Sequence, residues 1–174
     1  MISRIELIKK IDAAMGPGLL GLLPKASPVK KRGLKAGKIL VIRPGGLGDA
    51  LLLLPALKSV SRHLPGLCID MLCEPRNQAV FSHAPYISRI FSYQNPADLV
   101  RLAARHYELI IDAEQSHYLS AVLARFLRAD RRTGFKVNNR ERVYSGSIPY
   151  AHDRYEAGLF WELVHASLGL ALDF

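Results

Sequence analysis

The sequence predicts an α/β protein built on a doubly wound parallel sheet. Three observations carry this. Short apolar runs, most of them rich in β-branched residues, recur at 39–43, 68–73, 88–91, 108–112 and 132–135. Segments of helical periodicity alternate with them at 49–63, 97–106, 117–128 and 153–168. The first run also breaks on Pro44-Gly45-Gly46 and restarts as an acid-led helix. Strands alternating with helices at this spacing need crossover connections, and crossovers place the strands parallel.

Ile39-Leu40-Val41-Ile42 is too short for a helix and reads as a buried strand. Proline offers no N–H to a ladder and glycine accepts φ > 0, so Pro44-Gly45-Gly46 ends it. Asp49 stands where a carboxylate caps free N–H groups of the following helix, which closes at Leu64-Pro65-Gly66. Cys68 to Cys73 is the second strand, ending at Glu74-Pro75, and Ser88 to Phe91 is a short third. Ala97 to His106 is helical, and Glu108 to Asp112 is the fourth strand. The helix from His117 to Arg128 sets Leu119, Val122, Leu123, Phe126 and Leu127 on its inner face. Arg132 to Phe135 is a fifth strand, residues 136–151 are polar and irregular, and a last helix with Trp161 in the core closes the domain.

A single domain of 174 residues can bury roughly 70% of its unfolded surface unaided. No run approaches the ~18 apolar residues of a membrane span, and the N-terminal stretch lacks the apolar centre of a secretory signal. Cys68 and Cys73 are an odd number of strand positions apart and face opposite ways, so they do not pair. A reducing, cytoplasmic setting is expected. The net charge of +9 is uneven, since residues 1–38 carry +7 and the remaining 136 only +2. A basic arm on a near-neutral body argues against nucleic acid.

That arm, residues 1–37, divides into a helix over 2–15 with Ile5, Ile8, Ile11 and Met15 on one face, a break at Gly16-Pro17-Gly18, and a lysine-rich linker. Two uses fit equally: resting on an anionic membrane surface, or packing on the body.

The glycine turn fails two phosphate-binding patterns. A P-loop needs Gly-Lys-Ser/Thr, whereas Gly48 precedes Asp49-Ala50. The dinucleotide fingerprint finds Leu51 at its third glycine, and Asp49 would oppose a pyrophosphate at the helix N-terminus by on the order of 1 kcal/mol. Glu74 would serve as the ribose-binding acid, so a Rossmann-type dinucleotide domain stays as the lesser alternative.

A third pattern extends over residues 38–170. Arg-x-Gly-x-Leu-Gly-Asp (43–49), Leu-Pro-x-Leu (54–57), Glu74-Pro75-Arg76, Pro-Tyr-Ile-Ser-Arg-Ile (85–90), Leu109 to Asp112, Ser-Ala-x-Leu-Ala-Arg (120–125), Arg131 to Phe135 and His152 to Tyr155 fall in one order. Together they resemble the N-terminal half of family 9 glycosyltransferases, the lipopolysaccharide heptosyltransferase family. Pro44 and Gly46 depart from residues common in that loop, and Glu114 stands where glutamine is expected.

The resemblance implies that residues 38–174 form the Rossmann-like, acceptor-binding N-terminal domain of a GT-B glycosyltransferase, with the donor-binding domain absent after Phe174. Such an enzyme moves a heptose-like sugar, with inversion, from a nucleotide-sugar such as an ADP-heptose to a sugar-lipid acceptor. This chain is then expected to be inactive without a donor-binding partner; a non-catalytic binding or membrane-adaptor domain is the alternative. Work on a lipid-linked acceptor would place it at the inner face of the membrane.

The resemblance makes Asp49 the base that takes the acceptor hydroxyl proton. Taken alone, Asp49 reads as a plain helix cap. Gly45, Gly46 and Gly48 would let both substrates approach the backbone. Arg43 would fork onto an acceptor phosphate or carboxylate. Asp112, Glu114, Ser116 and His117, at the same sheet edge, would floor the acceptor pocket, unless Asp112 or Ser116 merely caps the next helix. Arg131, Arg132, Lys136, Arg140 and Arg142 are either a second phosphate-binding cluster or a solvated loop. No histidine or cysteine spacing suggests a metal, and no cofactor is implied.

Overall fold

In the computed structural model, residues 4–28, 33–34, 36–171 and 174 are described. Six parallel strands form one sheet: β1 (Ala36–Arg43), β2 (Gly66–Cys73), β3 (Ile87–Ser92), β4 (His106–Asp112), β5 (Arg128–Lys136) and β6 (Gly146–Pro149). Their order is β3-β2-β1-β4-β5-β6. The chain winds outward from β1 to β3, then returns to lay β4 on the other side of β1. The expected doubly wound sheet is present, and its switch point lies between the carboxyl ends of β1 and β4, where open α/β sheets leave a crevice.

Alternation along β1 shows how two helical layers are held. Ile39 and Val41 enter one core with Leu53 and Leu57 of α2 (Leu47–His63) and Leu159 and Leu163 of α6 (Glu156–Leu168). Leu40 and Ile42 enter the other, with Leu102 of α4 (Pro96–Ala103) and Ala124 of α5 (Leu119–Phe126). All four strand side chains are fully buried, each contributing about 1.5–3 kcal/mol. Cys68 is exposed and Cys73 buried, both free.

Several elements and side chains differ from expectation. The segment after β2 holds a helix, α3 (Pro75–Ser82), and the irregular stretch holds a 3-10 turn (Arg140–Val143) and edge strand β6. Phe126, assigned to the inner face of α5, is exposed, while Ser120, Ala121 and Ala124 are buried. Trp161 is only half-buried, against His165 and Phe174.

The largest difference is α1 (Arg4–Leu22), which runs straight through Gly16-Pro17-Gly18. An internal proline costs a helix about 3 kcal/mol, and tertiary packing offsets it. Asp12, Gly16 and Leu20, one turn apart, form the buried face. A Cβ on Gly16 would come within 2.5 Å of Tyr118 Cβ, so glycine permits the approach. Leu20 packs on Ala121, Val122, Val143 and Tyr144. The Asp12 carboxylate accepts the N–H groups of Tyr118 (3.0 Å) and Leu119 (2.6 Å), capping α5 from a distant part of the chain. Ile11 and Met15, expected on the apolar face, are exposed. Lys30, Lys31, Arg32 and Lys35 of the linker lie outside the described residues. No described helix is long and apolar enough to cross a membrane.

Candidate functional site

A cleft of about 510 Å3 opens at the switch point. Of the residues singled out in the sequence, Arg43, Gly45, Gly46, Asp49, Glu114, Ser116 and His117 line it; Gly48 and Asp112 do not. β1 delivers Arg43, and the chain then turns at Gly45, whose φ of +88° is the reason for glycine there. The carbonyl of Gly45 accepts a hydrogen bond from Asn77 Nδ2 of α3, which anchors the turn from beside it.

α2 begins two residues earlier than expected, with Gly46 at its N-cap and no side-chain cap. Asp49 therefore sits in the first turn rather than at the cap. Its Oδ2 accepts from Arg43 Nη2, and its side chain remains 37% exposed toward the cleft. No hydrogen bond among the described residues engages Oδ1.

Arg43 is 2% exposed and already occupied. Besides Asp49 it donates to the Ala113 carbonyl and to Gln115 Oε1, both at 2.6 Å, and lies 3.8 Å from Glu114 Oε2. Gln115 passes the order outward, donating to Glu156 at the start of α6, whose other oxygen accepts from Tyr150 at 2.9 Å. Burial, with Glu156 beside it, pushes the Tyr150 hydroxyl up to about 12, so it stays a donor. A chain of polar contacts thus runs Asp49–Arg43–Gln115–Glu156–Tyr150.

Glu114 Oε1 gathers the N–H groups of Gln115 (3.0 Å), Ser116 (2.9 Å) and His117 (3.3 Å), and the Ser116 hydroxyl (3.2 Å). Its Oε2 lies beside the Arg43 cation, where a glutamine would turn an NH2 donor toward a donor, and this favours glutamate where glutamine was expected. His117 Nδ1 lies 3.3 Å from the Asp12 carboxylate, so α1 supplies a wall of the cleft.

Asp112 lies beneath this layer, fully buried. Its Oδ1 accepts the Glu114 N–H at 3.1 Å, while Oδ2 accepts from Arg140 (2.8 Å) and the Tyr144 hydroxyl (2.7 Å). It is neither a pocket floor nor a cap for α5, and Ser116 does not cap α5 either; Asp12 does. Burial works against the Arg140 cation, but Asp112, Tyr144 and Glu114 outweigh it and hold its pKa above the usual arginine value. Of the five basic residues at 131–142, three serve as scaffolding rather than as a phosphate cluster or a solvated loop. Arg140 pairs with Asp112, Arg132 donates to the carbonyls of Ala124, Leu127 and Ala129, and Arg142 donates to that of Leu23, while Lys136 is exposed.

Sequence reasoning missed Asp12, Tyr93, Gln94, Pro96 and Gln115 as lining residues. Only Gln115, between Glu114 and Ser116, carried a local signal. The Tyr93 hydroxyl is buried with no hydrogen-bond partner among the described residues.

No protein-family model matches the chain, and no curated protein matches it. Solved structures do. Escherichia coli heptosyltransferase WaaC with ADP superposes with a TM-score of 0.70 at 23% identity, over 77% of this chain and 48% of that one. The glycosyl transferase family 9 protein from Veillonella parvula DSM 2008 gives 0.67 at 17%, over 82% and 44%. E. coli ADP-heptose lps heptosyltransferase II gives 0.64 at 18%, over 73% and 40%. The chain has a family 9 glycosyltransferase-like fold and spans about half the length of these structures or less.

Proposed function

We propose that this chain is the acceptor-binding half of an inverting glycosyltransferase that moves a heptose-like sugar from a nucleotide-sugar to a lipopolysaccharide-core type acceptor. The observation that carries the reading is the Asp49 carboxylate, held at Oδ2 by a buried arginine and facing the cleft at the sheet's switch point. The similarity in fold to heptosyltransferases supports it.

In this reading the acceptor hydroxyl lies against Asp49 and gives its proton to Oδ1 as its oxygen attacks the anomeric carbon. The bond from that carbon to the diphosphate breaks, and the nucleoside diphosphate leaves with the electron pair. Arg43 keeps the carboxylate in one rotamer, so the base arrives oriented. In this reading the donor site belongs to a second domain or chain, and transfer needs both. No cofactor enters the reaction.

Calorimetric titration tests the binding half of the claim. A phosphorylated sugar-lipid acceptor is expected to bind this chain, and an ADP-sugar to bind negligibly. Combined with a donor-binding half, Asp49→Asn is expected to lower kcat by about 10²–10⁴-fold with acceptor affinity kept. Acceptor binding with near-normal transfer by Asp49→Asn removes the base. Absence of acceptor binding removes the reading, and tight NADH binding replaces it with a dinucleotide domain.

A further inference from the structure

We infer that α1 is an interfacial anchor that seats this protein on an anionic lipid surface with the cleft beside the bilayer. With its seat on the body made by Asp12, Gly16 and Leu20, the helix leaves a second apolar stripe uncovered. Ile11, Met15, Leu19 and Leu22 are 42%, 55%, 37% and 85% exposed. At ~100° per residue these four fall within an arc of about 80°, along roughly 16 Å of helix. The stripe borders the buried face without belonging to it.

Shape and charge select lipid as the occupant. Four side chains on a convex helix fall short of the ~800 Å2 per partner that a stable protein interface buries, and they form no groove or knob for a partner to match. Lipid needs no complementary groove, only an apolar strip with cations beside it. Lys10 and Lys25 are exposed near the two ends of the stripe, and residues 1–38 concentrate +7 of the chain's +9. Hydrogen bonds from Ala26 N–H to the Arg142 carbonyl (2.7 Å) and from Arg142 to the Leu23 carbonyl (3.1 Å) hold the chain beyond α1 against the body, so Lys25 keeps its place near Leu22. Polybasic segments of this kind are drawn to anionic leaflets.

The seat fixes orientation as well. Asp12, on the face next to the stripe, lines the cleft together with His117 and Leu119. A stripe lying in the headgroup layer brings the cleft's α1 wall to the membrane surface, where a lipid-borne hydroxyl could enter it. The inference does not rest on sugar transfer, because its test contains no sugar.

The full chain is sedimented with vesicles of phosphatidylglycerol and phosphatidylcholine in equal parts, and with phosphatidylcholine alone, at 0.1 M salt. Binding to the anionic vesicles is expected, at least tenfold weaker on the neutral ones. Met15→Glu with Leu22→Glu is expected to lower binding at least tenfold with circular dichroism and melting temperature unchanged. Leu22→Ser alone, at the most exposed position, is expected to lower it severalfold. No vesicle binding overturns the inference. So does binding that both variants leave intact, which would make the lysines sufficient, or a dimer in solution that Leu22→Ser dissociates.

Discussion

Arg43, 2% exposed, holds Oδ2 of Asp49, 37% exposed, through an ion pair that joins the end of β1 to the first turn of α2. The same guanidinium holds the loop after β4 through Ala113 and Gln115. One buried cation therefore sets the distance between the two walls of the cleft. Arg43→Met would leave an acceptor unpaired on each wall, at about 1–3 kcal/mol. The expected loss is roughly 2–10 °C in Tm. Arg43→Lys, a single point charge in place of a fork, should fall between the two. Thermal melts of both variants check this; a Met variant melting with the parent would mean that the walls are held by other contacts.

Below that pair, Arg140 and Asp112 are both fully buried and bonded at 2.8 Å. Removing one member of a buried pair strands the other, which costs about 3–5 kcal/mol, whereas replacing both by apolar residues of similar size is often neutral. Asp112→Leu should destabilise by that amount, and Arg140→Met with Asp112→Leu should recover most of it. Tyr144 and Ser120 also bond to this pair, so recovery will be incomplete. Denaturant unfolding of the two single variants and the double variant measures the coupling. A single variant within 1 kcal/mol of the parent would contradict it.

The central strands and the helices α2 and α6 were legible because each announces itself locally. Ile39 to Ile42 is a continuous apolar run, as a strand buried on both faces must be. α3 was hidden because its buried members are Asn77 and Phe81 among polar neighbours, and Asn77 is inside only to bond the Gly45 carbonyl. β6 is a four-residue edge strand with no apolar run to signal it. Arg140 read as solvated because a buried cation is identified by its partner, and Asp112 stands 28 residues away. Gly16-Pro17-Gly18 is a sound local break signal, overridden by a seat more than a hundred residues distant. What spacing could express was readable; what depends on which residues meet was not.

Asp70 on β2 is 3% exposed and accepts a 3.0 Å hydrogen bond from the Tyr107 hydroxyl, reaching across β1. Burial raises its pKa above 3.8 despite Tyr107, Arg105, Arg89 and Lys38. The folded state therefore binds the proton more tightly than the unfolded one, and the ionised carboxylate destabilises at neutral pH. Asp70→Asn keeps an oxygen for Tyr107 and carries no charge. It should be more stable than the parent at pH 7. The gain should shrink as pH falls through the raised value toward 3.8. Melts at pH 7 and pH 4 test the sign; a variant less stable than the parent at pH 7 would refute it.

Asp12 carries the opposite sign. Burial pushes its carboxyl up, but the hydrogen bonds from His117, Leu119 and Tyr118 outweigh burial and leave its pKa below 3.8. A depressed acid contributes stability that is present above the unfolded value and is lost as pH falls through the folded one. Asp12→Ala removes the cap of α5 and the polar half of the α1 seat together. It should cost about 1–2 kcal/mol at pH 7, within the usual range for a helix cap. That corresponds to roughly 2–8 °C in Tm. As the pH falls below 3.8 and on through the lowered folded value, the two proteins should converge, because the parent's carboxyl becomes protonated. Limited proteolysis separates the seat from the cap: if α1 is held by this carboxylate, cleavage within residues 10–28 should accelerate in Asp12→Ala before the sheet is attacked. Unchanged cleavage with a lowered Tm would mean that Leu20 and Gly16 alone hold the helix, and that Asp12 serves only α5.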